Sequence, residues 1–248
     1  MRIFLHQLKT EQLVYWRSRE SAVFTFIFPL LLFVLLGSVY SGRIYGVPAA
    51  QALLAALLAY GCAMVAFAGL AITLVLRREQ AILKRLRATP LTPPVYIASL
   101  LTSTLLIFAA EIVVLFLLGR AVFGTPFPAR IGSLALIIVL GAVSFAAMGV
   151  GLSGLIRSGE GSSAVVNLIV LPMSFLTGAF GPTRHYPHFL RLIGDALPLK
   201  YLVDLSNAVY LHKHSFWSQG TAIGVLAAWG VGGVAVALAK FRWEPRES

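Results

Sequence analysis

Charged residues are scarce in this chain. They make up 12% of its 248 residues, which is about half the share found in ordinary soluble domains, whereas hydrophobic residues make up 58%. This composition argues strongly against a water-soluble globular protein. Acidic residues are scarcer still, because nine Asp and Glu stand against 20 Lys and Arg. The basic residues lie between long apolar runs, and this arrangement favours lipid headgroups over nucleic acid as their acidic partner.

Motifs of metal sites and of ATP-phosphate binding are also missing. The single cysteine, Cys62, sits inside an apolar run, which excludes a disulfide framework and a thiolate metal site. No G-x-x-x-x-G-K-[ST] motif occurs, so we do not expect this chain to bind ATP phosphates. The histidine pairs His185/His188 and His212/His214 have no companion cysteine and few nearby acids, which favours solvated side chains over metal ligands. We therefore predict no metal, no bound cofactor and no catalytic residue in this chain.

Six long apolar stretches are present instead. An apolar helix needs about 20 residues to cross the hydrocarbon core, where lipid offers the backbone no hydrogen-bond partners. Glu111 is the one charged side chain within the six stretches. The sequence predicts an all-α integral membrane protein, a single domain over residues 1–248 with six transmembrane helices. The predicted spans are residues 21–40, 49–76, 95–118, 131–156, 164–180 and 221–238.

Residues 1–20 precede the first span and are too charged for a cleavable signal peptide. Phe4, Leu8 and Tyr15 fall on one side of a helical wheel, with Lys9 opposite. This pattern predicts a helix that lies in the membrane interface. Polar residues interrupt the apolar side, so a mixed cytosolic tail stays open as an alternative.

The distribution of Lys and Arg predicts the orientation. If the N-terminus is cytoplasmic, the segments on that side carry 13 Lys and Arg and the segments on the other side carry 7. Because cytoplasmic loops carry the excess of positive charge, we expect both termini to be cytoplasmic in a multi-pass protein of the cell membrane.

The densest charge lies in residues 77–94, between the second and third spans; this segment is called the coupling loop below. Its stretch from Arg78 to Ala88 consists of good helix formers, and the prolines that follow end the helix. It therefore predicts a short, basic, cytosolic helix. Charge alone leaves two interpretations open, because anionic lipid attracts five basic residues as well as a protein partner does.

The coupling loop resembles the cytoplasmic loop of ABC type-2 exporter permeases, whose pattern is close to R-E-x-G-T-L-K-R-L-R-x-T-P-L. The chain departs from this pattern at Ala81 and Ile82, where the family has Gly and Thr. The resemblance implies that the loop docks onto a separate ATPase subunit, with Leu83 and Leu86 as apolar anchors. The matching residues are Arg78, Glu79, Leu83, Lys84, Arg85, Leu86, Arg87, Thr89, Pro90 and Leu91. The residues expected to couple to the ATPase are Arg77, Arg78, Glu79, Leu83, Lys84, Arg85, Leu86 and Arg87.

A second stretch supports the same resemblance. Residues 178–204 resemble the family's G-x-F-x-P, L-P and P-L-x-Y-x-x-D sequence between the fifth and sixth spans, with Tyr186 where Leu is usual. Helix-breaking prolines between moderately apolar pieces predict two short re-entrant or interfacial helices in the extracellular segment 181–220. An ordinary outer loop stays open as an alternative. The motif residues are Pro182, Tyr186, Pro187, Pro198, Tyr201 and Asp204.

The resemblance implies a function for the whole chain. We expect the membrane-spanning permease subunit of an ATP-driven ABC exporter, in which a second permease, identical or related, completes the path. Two copies of an ABC ATPase subunit would bind the ATP and Mg²⁺, and membrane lipids would surround the assembly. The expected substrate is hydrophobic or amphipathic: a drug, a lipid or a lipid-linked product. A bacterial inner membrane is the expected location.

Glu111 is the candidate for the substrate path, because a carboxylate at membrane depth is costly unless it is protonated, paired or hydrated. It would attract cationic substrates or face a partner subunit, and a neutral, hydrogen-bonded carboxyl stays open. Gln51 and Asn167 are weaker candidates for the same path. The alternative function is an ion-coupled secondary carrier that uses Glu111, although such a carrier is expected to need more than one buried titratable group.

Residues 149–154 contain two motifs with other known uses. Gly149, Gly151 and Gly154 form a G-x-G-x-x-G pattern, but it lies inside an apolar run rather than between a strand and a helix. It indicates a small-residue face for helix packing. Ser153 also completes the G-x-S-G of intramembrane serine proteases. All histidines lie outside the spans, which makes a protease a remote alternative.

Overall fold

The computed structural model describes residues 1–40, 42–241 and 243–244. The end of the predicted domain, residues 245–248, lies outside the described residues, as do positions 41 and 242. The described chain is mostly helical, and a two-stranded antiparallel hairpin pairs β1 (Arg43–Ile44) with β2 (Val47–Pro48). The α-helices are α1 Arg2–Arg17, α2 Arg19–Val39, α3 Ala49–Cys62, α4 Leu70–Glu79, α5 Ile82–Arg87, α6 Pro93–Phe123, α7 Ile131–Leu155, α8 Ser162–Leu176, α9 His188–Ala196, α10 Pro198–Tyr210 and α11 Gly220–Lys240. A π-helical segment, Ala63–Gly69, joins α3 to α4, and Phe216–Ser218 forms a 3₁₀ turn.

Five helices in the described part of the chain are long and apolar enough to cross a membrane, in agreement with the predicted all-α membrane class. They are Ala22–Val39, Ala49–Glu79, Pro93–Phe123, Ile131–Leu155 and Gly220–Lys240. The predicted fifth span corresponds to α8, which has 15 residues. At 1.5 Å per residue it is about 22 Å long, shorter than the hydrocarbon core. The count of six spans stays a prediction.

The helix Ala49–Glu79 forms the centre of the bundle. Within its apolar window 89% of the residues are buried, against 11% for Ala22–Val39 and 17% for Gly220–Lys240. The central helix is rich in Ala and Leu, so neighbouring helices pack closely against it on several sides, including α2, α6, α7 and α10. Hydropathy cannot separate this buried helix from the lipid-facing ones, because lipid tails are as apolar as the protein interior.

Helices α7 and α11 pack along their glycines. An added Cβ at Gly151 would lie 2.8 Å from the carbonyl oxygen of Gly233, and one at Gly233 would lie 2.5 Å from the backbone nitrogen of Met148. Gly149 approaches the Phe67 carbonyl of the π-helical segment in the same way. The G-x-G-x-x-G pattern is therefore a helix-packing face, as predicted.

The helix predicted from Arg78 to Ala88 is wrong in one respect. Helix α4 continues the second span through Glu79, and a separate short helix, α5, follows it. The break lies at Ala81, whose φ of 56° is in the left-handed region. A right-handed helix cannot continue through such a residue, and the family pattern places Gly at this position.

Between α8 and α11 the chain forms two short helices, α9 and α10. Pro187 precedes α9, and Pro198 occupies the first turn of α10, where its missing N–H costs no hydrogen bond. The two predicted helices are therefore present. Their depth in the membrane stays a prediction.

Candidate functional site

Arg77 links three helices at the end of the bundle that carries α5, called the α5 end below. Its guanidinium donates two hydrogen bonds to the carboxylate of Glu11 on α1, with Nη1–Oε1 and Nη2–Oε2 distances of 2.8 and 2.7 Å. Nη1 also donates to the hydroxyl of Tyr96 on α6, at 2.8 Å. Both members of the ion pair are largely buried, with side-chain exposures of 15% and 4%. Such a two-bond pair fixes both position and orientation.

Arg78 and Glu79 bind the other side of the bundle. Arg78 is 2% exposed and donates to the carbonyl oxygens of Ser153 and Ile156, at 2.8 and 2.6 Å, where α7 ends. Glu79 accepts a hydrogen bond from the backbone N–H of Gly159, at 2.8 Å. Three residues predicted to face an ATPase are thus bonded within the chain, and they attach the coupling loop to α1, α6, the end of α7 and the turn between α7 and α8.

Helix α5 divides the remaining predicted coupling residues by exposure. Leu83 is fully buried in the core of this chain and Leu86 is half-buried. Lys84, Arg85 and Arg87 are exposed. Leu83 therefore holds α5 onto the membrane bundle, which differs from the predicted contact with a partner. The surface that α5 presents is basic, with Leu86 as its apolar margin.

A cavity of about 760 Å³ adjoins the coupling loop. It lies between α1 and α2 on one side and α8 on the other, with the π-helical segment, α4 and α6 forming its back wall. Two irregular stretches of helix line it. Pro29 has no N–H to donate to the carbonyl of Thr25 in α2, and Met64, Val65, Ala68 and Gly69 belong to the π-helical segment, a kind of irregularity that often occurs at functional sites.

The predicted path residues lie in three different places. Asn167 on α8 is exposed and lines the cavity. Glu111 on α6 is 2% exposed, and its carboxylate lies against Gly61, where an added Cβ would be 2.6 Å from Oε1. Gln51 is half-buried near the start of α3, beside the hairpin. Glu111 and Gln51 are not among the described residues that line the cavity.

The predicted outer motif lies at the end of the bundle opposite α5. Pro198 is buried, and Lys200 forms an ion pair with Asp204 at 2.5 Å, one turn along α10. Tyr210 ends α10 and donates from its hydroxyl to the carbonyl of Pro126, at 2.7 Å. The other motif residues lie in the approach to α9 or on the surface of α10, with Pro182, Tyr186 and Tyr201 half-buried and Pro187 exposed.

Comparison with known proteins identifies the family. The family model of the ABC-2 type transporters matches residues 4–211 of the chain. The chain belongs to the ABC-2 type transporter family. It is also 25% identical over 175 residues to the inner membrane transport permease YhhJ of Escherichia coli (strain K12), and equally so to YhhJ of Shigella flexneri. The match covers 68% of this chain and 46% of each relative, so the chain spans about half their length.

In this ABC-2 permease chain, Ser153 has a structural role. It is fully buried, its hydroxyl donates to the carbonyl of Val150 at 2.6 Å, and its own carbonyl accepts from Arg78. The five histidines are all exposed. Across the described residues, no group of three or more His, Cys, Asp or Glu side chains is close enough to hold a metal ion.

The sequence analysis missed Glu11 and Tyr96. Glu11 lies 66 residues from Arg77, and only the tertiary fold brings the two together. A signal for Glu11 was nevertheless present, because it stands at helical spacing with Phe4, Leu8 and Tyr15 on the side of α1 that packs against α6. An acidic residue within an apolar helix face indicates a buried partner of opposite charge.

Proposed function

We propose that this chain is the permease subunit of an ATP-driven exporter and that α5 is its contact with a separate ATPase subunit. The observation that carries the proposal is the contrast within the coupling loop. Arg77 and Arg78 are bonded to membrane helices and Glu79 to the turn before α8. Lys84, Arg85 and Arg87 on α5 are exposed instead, and the one ion pair among them in the described residues joins Arg87 to the exposed Glu244 at 3.9 Å. Exposed basic residues suit acidic residues on a partner, and the buried Leu83 makes α5 part of the bundle.

The anchoring of the coupling loop supports a mechanism. A displacement of α5 by the ATPase is passed through Arg77 to α1 and α6, through Arg78 to the end of α7, and through Glu79 to the turn before α8. Closely packed helices shift as rigid bodies rather than deforming continuously. ATP-driven closure of an ATPase pair therefore moves these spans together and opens the path to the outer side.

The proposed assembly contains two permease copies, identical or related, and two ATPase subunits that bind ATP and Mg²⁺. The excess of Lys and Arg on the α5 side supports a cytoplasmic position for α1 and α5 in a bacterial inner membrane. The substrate is hydrophobic or amphipathic, and the cavity with Asn167 at its edge is the proposed start of its path. Glu111 and Gln51 stay predicted members of the path.

Charge reversal on α5 tests the contact. We expect the triple variant Lys84→Glu, Arg85→Glu, Arg87→Glu to insert into the membrane normally but to lose the ATPase subunit that co-purifies with the native chain. A matched control replaces Arg184, Arg191 and Lys213, which lie at the opposite end of the bundle, with Glu. This control should keep the ATPase. Retention of the ATPase by the α5 variant would show that coupling lies elsewhere.

Energy dependence separates the exporter from an ion-coupled carrier that uses Glu111. In membrane vesicles that contain the native assembly, an exporter loses transport when ATP is depleted and keeps it when ion gradients are collapsed. The reverse result, together with loss of transport in Glu111→Gln, would favour the carrier.

A further inference from the structure

The cavity beside the coupling loop has a polar end without net charge. Among the described residues that line it, Glu11 and Arg77 are the charged ones. Their two hydrogen bonds, of 2.8 and 2.7 Å, join one full positive charge to one full negative charge inside the protein. Gln80, Ser18 and Ser103 add neutral polar groups to the lining. This end therefore offers hydrogen-bonding groups of both kinds and favours neither sign of charge.

The lining becomes mostly apolar away from this end, although Tyr15, Thr25 and Thr104 also contribute hydroxyl groups to the cavity. Met64 and Arg77 both line the cavity and are 13 residues apart on the central helix, which corresponds to about 20 Å along a helix axis. Phe28 and Pro29 of α2 and Ile107 of α6 surround the end near Met64. The cavity thus joins a polar end to a mostly apolar one.

The size and opening of the cavity fit a membrane-derived ligand. Its volume of about 760 Å³ lies within the range of roughly 300–1,000 Å³ that is typical of small-molecule sites. Phe24 on α2 and Asn167 on α8 both line it and are both exposed, which places an opening between these helices. A molecule already dissolved in the membrane can enter there without crossing the protein core.

We propose that this cavity binds an amphiphile with an uncharged or zwitterionic head, whose head lies beside the Glu11–Arg77 pair and whose tail lies against Phe28 and Met64. The inference rests on the proposed function only in making this amphiphile the exported substrate. A head with net charge is disfavoured, because it would lose hydration on entry and would meet a pair that is already neutralised. Glu111 does not line the cavity.

A binding assay on the purified chain in lipid nanodiscs tests the proposal without any ATPase. In a Cys62→Ala background, a bimane fluorophore is attached at Asn167→Cys, at the cavity opening. The matched control carries the fluorophore at Val234→Cys, an exposed position of α11. The two positions are matched in distance from a helix end, because Val234 lies six residues before the end of α11 and Asn167 lies five residues after the start of α8. The probes are three single-chain amphiphiles with the same spin-labelled tail and a phosphocholine, phosphoglycerol or trimethylammonium head.

With the fluorophore at position 167, we expect the phosphocholine probe to quench the bimane fluorescence at a concentration roughly fivefold or more below the concentrations that the two charged probes require. A fivefold ratio corresponds to a difference of about 1 kcal/mol in binding free energy. At position 234 the three probes should quench alike. Equal ratios at the two positions would overturn the proposal.

Charge variants then locate the head. Glu11→Gln leaves the positive charge of Arg77 and should shift the preference to the phosphoglycerol probe, whereas Arg77→Gln should shift it to the trimethylammonium probe. The double variant has no charge at this end and should restore the phosphocholine preference. If a single variant does not fold, the native chain and the double variant still decide the question. If the folded single variants keep the head-group preference of the native chain, the placement of the head beside Glu11 and Arg77 is refuted. Because this assay contains no ATPase, a negative binding result does not bear on the proposed contact between α5 and the ATPase. Equally, a failure of that contact in the charge-reversal experiment does not bear on ligand binding in the cavity.

Discussion

Two adjacent glycines in α11 allow a stringent test of the helix packing. Gly233 faces α7, where an added Cβ would lie 2.5 Å from the backbone nitrogen of Met148 and 2.7 Å from the carbonyl carbon of Ala147. Gly232 is next to it on the same helix, and an added Cβ there would meet no atom within 4 Å. Gly233→Ala and Gly232→Ala therefore make the same chemical change one residue apart, with a contact in one case only.

The comparison of the two variants gives the size of the expected difference in the free energy of unfolding. Both substitutions gain the same helix propensity of Ala over Gly, up to about 1 kcal/mol, so that contribution cancels in their difference. What remains is the displacement of α11 from the α7 backbone, because backbone atoms cannot turn aside as a flexible side chain can. Overpacking of this kind costs about 1–3 kcal/mol. We expect Gly233→Ala to be less stable than Gly232→Ala by that amount.

The assay is reversible unfolding in mixed micelles, in which the fraction of sodium dodecyl sulfate is increased and helix content is followed by circular dichroism. The free energy of unfolding is compared among the native chain and the two variants. Equal values for the variants, or a lower value for Gly232→Ala, would refute the close approach of α7 and α11 on which the packing argument rests.

Three further substitutions test other parts of the fold by the same unfolding measurement. Ala81→Gly should raise the free energy of unfolding by about 1 kcal/mol, because Ala81 has a φ of 56° that Gly adopts without strain; Ala88→Gly, at a φ of −82°, should not stabilise, and a gain in both would contradict the strain at Ala81. Arg78→Met should lower it by roughly 3 kcal/mol, because the buried carbonyls of Ser153 and Ile156 lose their charged donor, whereas the exposed Arg85→Met should change it by less than about 0.5 kcal/mol; similar effects would argue against a structural role for Arg78. Tyr210→Phe should lower it by about 1 kcal/mol through loss of the bond to Pro126. Burial raises the pKa of Tyr210 to about 12 from the ordinary 10.0, so the folded state favours the neutral phenol. The stabilisation by the raised pKa of Tyr210 is therefore complete below pH 10 and is lost between pH 10 and 12. Over that range the native chain should lose its advantage over Tyr210→Phe and fall below that variant in stability; a constant difference would count against the burial.

The apolar runs predicted most of the helices correctly, because the requirement for about 20 apolar residues per span is strong and local. Helices α2, α6, α7 and α11 begin and end within five residues of the predicted spans. Helices α6 and α11 run past their apolar runs at both ends, since hydrogen bonding continues into polar residues such as Arg120 and Lys240. Helix α8 is shorter than its apolar run, and turns at residues 177–180 replace the predicted end of that span.

The candidate site was predictable only in part. The basic composition of the coupling loop marked it as a contact surface, and the resemblance supplied a partner. Sequence spacing did not show that Ala81 breaks the helix, that Leu83 turns into the core, or that Arg77 and Arg78 bind other helices. A helix of six residues has too few turns for a reliable apolar face, and the direction of each side chain depends on what packs beneath it.

By itself the sequence determined the membrane class, the approximate position of each helix and the family, because these depend on composition and on residues close together along the chain. Only the tertiary structure decided which basic residues are exposed and which are bonded, and that Glu11 neutralises Arg77 beside a cavity. The physical reason is distance along the chain. Glu11, Arg77 and Tyr96 belong to three helices, and the electrostatics of the site exist only when those helices pack together.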